Sequence, residues 1–80
     1  MKATEALTII NKAFPKRKVI ECLEFSEFFA FGMVENGNSE DLVGGAFDTV
    51  DKETGEISFF NPTSDLKAFI NAKRIDVTEL

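Results

Sequence analysis

Over the first fourteen positions, apolar residues recur at three- and four-residue steps: Ala6, Leu7, Ile10, Ala13 and Phe14, with Ile9 widening the stripe. That period is one face of an α-helix. Thr4 is a suitable N-cap, and Glu5 places a carboxylate in the first turn, where the helix dipole favours it. Pro15 disfavours an α conformation at the residue before it, so the pattern predicts a helix over residues 4–14.

From Lys18 the period drops to two. Residues 18–25 read as a first strand, with Val19, Glu21, Leu23 and Phe25 on one side and Ile20, Cys22 and Glu24 on the other. Ser26-Glu27 is a tight link or a bulge. Residues 28–35 form a second strand: Phe29, Phe31 and Met33 face one way, Phe28, Ala30, Gly32 and Val34 the other. Apolar side chains on both faces mark a central strand, or a sheet covered on its second side as well.

The polar run 36–41 is a loop, and residues 42–50 read as a third strand that Gly44-Gly45 weakens at its start. Alternation through Val43, Gly45, Phe47 and Thr49 resumes at Ile57 and Phe59, across the polar segment Asp51-Lys52-Glu53-Thr54-Gly55-Glu56. Gly55 suits the positive φ that ends a type I turn with a bulge, which predicts a hairpin between the third strand and a fourth over residues 56–60. Asn61-Pro62 breaks that strand. Thr63 or Ser64 then caps a second helix, with Asp65 in its first turn, Leu66, Phe69 and Ile70 on one face, and Lys73-Arg74 near its end. Residues 75–80 are a short extension or a frayed tail. The expected architecture is α+β in two layers: a single domain over residues 1–80, ordered α-β-β-β-β-α, with a four-stranded antiparallel meander and two helices packed on one face.

Composition sharpens this mainly by exclusion. Eighty residues make one small core, burying roughly 60–65% of the unfolded surface. All nine aromatics are Phe, so large rings enter the core without a hydroxyl or indole donor to satisfy. The chain has no histidine, which removes the usual neutral-pH base and the commonest metal ligand. Its single cysteine, Cys22, excludes an intrachain disulfide, and the neighbouring Glu21 and Glu24 do not favour a thiolate. The N-terminus carries no apolar stretch of signal-peptide length, and a cytoplasmic location is the default expectation.

Charge is unevenly spread. Residues 1–20 carry a net +4, residues 21–60 a net −9, and the total is −5. An acidic central region repels a phosphate backbone, so nucleic acid is not the expected partner, and Lys16-Arg17-Lys18 reads as a solvated turn. The acid pairs Glu21/Glu24, Glu40/Asp41 and Asp48/Asp51 lack flanking residues that would desolvate one member and split the two pKa values. Asp48, Asp51, Glu53 and Glu56 do not follow a calcium-loop pattern, and Lys52 lies among them. Gly44-Gly45 precedes a strand, not the helix N-terminus that a phosphate cradle requires. Neither an enzyme, a metal centre nor a cofactor site is expected.

With its Asp51–Ile57 turn set behind an amphipathic helix, the chain resembles PepSY-like domains and small immunity proteins of bacterial toxin systems. In length, in Phe28, Phe29 and Phe31, and in the Asn61-Pro62 break it is similar to small phage and prophage proteins of Gram-positive bacteria. These resemblances bear on architecture and on a phage or prophage origin; with chemistry excluded, what remains is binding through shape and negative charge, and the expected function is a non-enzymatic protein-interaction module. Its contacts are expected through Glu35, Glu40 and Asp41, or through the second apolar face that holds Phe28 and Val34. A homodimer formed by that face would explain why strand two is apolar on both sides. The alternative is an immunity-type protein that neutralises a basic toxin by charge complementarity.

Overall fold

The computed structural model describes residues 1–35, 47–61, 63 and 65–80. Helix α1 (Ala3–Ala13) is followed by strands β1 (Arg17–Glu24), β2 (Phe28–Glu35), β3 (Phe47–Asp51) and β4 (Ile57–Phe60), then helix α2 (Leu66–Asn71) and strand β5 (Lys73–Ile75). A 3₁₀ turn, Val77–Glu79, closes the chain. The sheet order is β4-β3-β2-β1-β5, with antiparallel pairing throughout. The α+β class, the meander β1 to β4 and the packing of α1 on the sheet agree with the sequence pattern. The fifth strand does not: Lys73 and Arg74, expected at a helix end, pair instead with Glu24 and Leu23 of β1.

Helix α1 begins one residue earlier than the pattern predicts, and Lys2, not Thr4, is its N-cap. The Glu5 carboxylate reaches back to accept from the Lys2 backbone N–H at 3.3 Å, while the Thr8 hydroxyl donates to the Thr4 carbonyl. Ala6 and Ile10 are fully buried against Cys22, Phe29, Phe31, Met33 and Val50. This is the principal core.

Strand β1 departs from simple alternation. Its register against β2 shifts between Val19 and Glu21, so Val19 joins Cys22 on the α1 side, while Leu23 and Phe25 face the other way. A bulge explains the reversal, because one extra residue exchanges the faces of everything beyond it. Ile20, the inserted residue, is left exposed.

The second face has its own small cluster, Leu23, Ala30 and Phe47, with Phe25, Phe28, Phe69 and Ala72 packed against it. Phe69 of α2 lies 5.7 Å from the Phe47 ring, so α2 contributes to the face opposite α1 rather than sharing its side. Its N-cap is Asp65, whose carboxylate accepts from Ala68 N–H at 3.1 Å. Thr63 has a different role: its N–H and hydroxyl both donate to the Asn61 side chain. The expected cap Ser64 lies outside the described residues.

The β3–β4 turn matches the sequence closely. Gly55 has φ +73°, and its N–H donates to the Asp51 carbonyl at 2.9 Å. Asp51 Oδ1 accepts from the N–H groups of Glu53 and Thr54 at 2.8 and 2.9 Å, and the Thr54 hydroxyl accepts from Glu56 N–H. These bonds within the corner stiffen it, while the Glu53 and Glu56 side chains stay exposed.

Candidate functional site

Of the residues expected to meet a partner, Phe28 and Val34 have described side chains, and neither lies on an open surface. Phe28 is half-buried, stacked on Phe25 at 4.5 Å and tilted toward Phe60 at 5.9 Å. Val34 is 1% exposed, which leaves a partner no side-chain surface to touch. Glu35 ends β2, and Glu40 and Asp41 lie outside the described residues. The second apolar face is filled by the chain's own rings.

The exposed apolar surface is elsewhere. Phe59 is 74% exposed on β4, an outer strand of the sheet, while Ile57 beside it is partly buried against the principal core. On α2, Leu66 and Ile70 are 57% and 69% exposed. A shallow cleft of about 320 Å³ beside β4 is lined by Phe28, Thr49, Asp51, Glu56, Ser58 and Phe60, among others.

The backbone of β4 adds a directional feature. Asp51 N–H donates to the Glu56 carbonyl at 2.9 Å, making residues 51 and 56 a hydrogen-bonded pair next to Val50–Ile57. Antiparallel pairs alternate, so Thr49–Ser58 and Phe47–Phe60 also exchange hydrogen bonds. The N–H and C=O groups of Ile57 and Phe59 therefore point away from β3, toward the open edge. Such a row is a template for another extended chain.

The charged side chains near the sheet are structural in placement. Lys52 Nζ is 2.9 Å from Glu24 and sits 4.9 Å from the centre of the Phe29 ring. Arg17 approaches Asp48 at 3.7 Å and lies over Phe14. Burial raises the Asp48 carboxyl above its ordinary value, with Arg17 opposing the shift. Hydrogen bonds from the Thr54 and Glu53 backbones hold Asp51 below its ordinary value. Cys22 is buried, and burial together with the Glu24 charge pushes its thiol up to about 11, the reverse of what a nucleophile needs. Among the described residues, three or more acidic or cysteine side chains nowhere gather with metal-binding geometry. None of their helices is long and apolar enough to cross a membrane.

Sequence reasoning placed Phe59 on the right strand without marking it as a site. A compositional signal was present: Ile57-Ser58-Phe59-Phe60 contains no charge, whereas each of the other four described strands does. What the sequence lacked was the knowledge that β4 is an outer strand. Comparison with known proteins finds no matching family model, no similar curated protein and no similar solved structure. The likeness to PepSY-like, immunity and phage proteins therefore rests on the sequence motifs alone.

Proposed function

We propose that this protein is a non-enzymatic interaction module that takes an extended segment of a protein partner along the β4 edge. The observation that carries this reading is Phe59, 74% exposed on a strand whose outward backbone groups have no partner among the described residues. Strand addition supplies main-chain hydrogen bonds for affinity and alternate side-chain contacts for selectivity. The phage or prophage setting implied by the sequence motifs fits a small module of this kind, acting inside the cell.

Affinity capture from the native host tests it, comparing wild type with Phe59→Lys and with Ile20→Lys, an exposed apolar position on β1. Retention by Ile20→Lys and loss by Phe59→Lys support the β4 edge. Equal capture by all three overturns it.

The immunity reading keeps one observation of its own: Glu53 and Glu56 are both exposed on the β3–β4 corner of an acidic chain. It requires a basic partner whose binding weakens steeply with salt and falls in Glu53→Gln/Glu56→Gln while surviving Phe59→Lys.

A further inference from the structure

Resting on the β4 reading, and naming its occupant, we infer that the strand added to β4 is β4 of a second copy, related by a two-fold axis perpendicular to the sheet at Ser58.

Hydrogen-bond parity selects this register. The outward groups belong to Ile57 and Phe59, so an antiparallel copy centred on Ser58 pairs Ile57 with Phe59 of the second copy, and Phe59 with its Ile57. Each pair exchanges two main-chain bonds. Ser58 faces Ser58 in the closer, non-hydrogen-bonded arrangement, where two small side chains fit.

Side chains agree with the backbone. Ile57 and Phe59 lie on the α1 side of the sheet, as the pairing of Ile57 with Val50 shows. The symmetric register thus sets an aromatic ring beside a β-branched side chain twice, a favourable cross-strand pair. It gives the exposed Phe59 ring an apolar neighbour.

Charge permits a second copy at this edge. This protein carries −5, so self-association needs a contact that keeps its carboxylates apart. Strand β4 is uncharged. In the Ser58-centred register Glu56 opposes Phe60, and the two Glu56 residues stand about 14 Å apart along the paired strands. That exceeds the screening length of roughly 8 Å at physiological salt. The opposite outer strand offers no such match, because Lys73 and Arg74 would meet their own like charges.

A pair of four-residue strands falls short of the roughly 1,200 Å² of a stable interface, so the dimer is a weak one. Sedimentation velocity of the full chain from 10 to 500 μM reads it directly. Wild type is expected to shift from 8.9 kDa toward twice that mass, and Phe59→Lys to raise the midpoint at least tenfold with an unchanged circular dichroism spectrum. Ser58→Cys provides the second measurement and does not depend on how Phe59→Lys folds. Under mild oxidation it should give a covalent dimer, since Cys22 is buried and the two new thiols lie directly across the axis. A monomer at every concentration, together with no covalent dimer, overturns the second copy as occupant. So does a dimer that survives Phe59→Lys and leaves Ser58→Cys unlinked. Capture of another protein through β4 is read separately in the host experiment, so the wider reading can stand when this one fails.

Discussion

The two outer strands of this sheet are finished in opposite ways. Strand β5 is three residues long and begins Lys73-Arg74; the Arg74 guanidinium lies 2.6 Å from Glu21, and Lys73 stands across from Glu24 in register. Strand β4 has four residues, none charged, and exposes Phe59. Short length and lysine or arginine are common means of blunting an edge against further strands. Both outer strands are short, but only β5 adds the charge. The contrast is what singles out β4 as the edge for the proposed interaction, because β5 carries charge where β4 carries none.

The largest expected effect removes both edges together. Phe31 is fully buried on β2, between β1 and β3, and both outer strands are held through that centre. Phe31→Ala should cost about 3–5 kcal/mol, a large part of what a domain this small has to lose. Urea unfolding followed by circular dichroism measures it. A loss below 1 kcal/mol would mean that β2 does not support the two edges as a unit.

Next comes a change confined to the β4 side. Gly55 has φ +73°, and an added Cβ would meet Ile9 Cδ1 at 3.5 Å and Met1 Cε at 3.7 Å, ordinary contact distances. The expense of Gly55→Ala is therefore backbone strain, about 1–2 kcal/mol, without a packing clash. Amide exchange should quicken at Ile57 and Phe59 before it quickens in β5. Equal acceleration at both edges would show the corner to be a global rather than a local support.

A smaller effect is expected on the opposite edge. Arg74→Ala removes the partner of Glu21 on a largely exposed side chain, and such pairs contribute about 0.2–1 kcal/mol. Its more informative consequence is positional: β5 loses half of its edge charge, yet with the inferred contact at β4 the midpoint of self-association should stay within twofold of wild type. A marked gain in association would place the contact at β5 instead.

Legibility from sequence followed the same divide. The β3–β4 corner was readable because only one residue type there suits a positive φ, and the flanking alternation fixes its partners. Strand β5 was not, because Lys73-Arg74-Ile75 is too short to show a period and a basic pair suits a helix end equally well. The bulge at Ile20 was hidden by its neighbours: Val19, Ile20 and Cys22 are all apolar, so a slipped register leaves no polar residue on the wrong face. Phe28 and Val34 were readable as apolar, yet their burial depends on Phe25, Phe60 and the rest of the fold. Which strand lies outermost is a property of topology, and Phe59 acquires meaning only once that is known.

The finest test uses acid, and it turns on two carboxylates of β3 that shift in opposite directions. Asp51, with two backbone N–H donors, is held below its ordinary value, so the fold favours its ionised form. Its stabilisation is fully present above the unfolded carboxylate value of about 3.9 and disappears as pH falls through the lower folded value. Asp48 is raised, chiefly by burial, so the fold favours its protonated form and gains relative stability as pH falls through that higher value. Asp51→Asn should therefore flatten the decline in thermal midpoint as pH falls below the ordinary carboxylate value, and Asp48→Asn should steepen the decline where its carboxyl titrates. Melting curves at half-unit pH steps measure both slopes. If Asp51→Asn leaves the acid decline as steep as in wild type, the Asp51 hydrogen bonds do not support the β3–β4 corner; if Asp48→Asn flattens it, burial does not hold that carboxyl above its ordinary value.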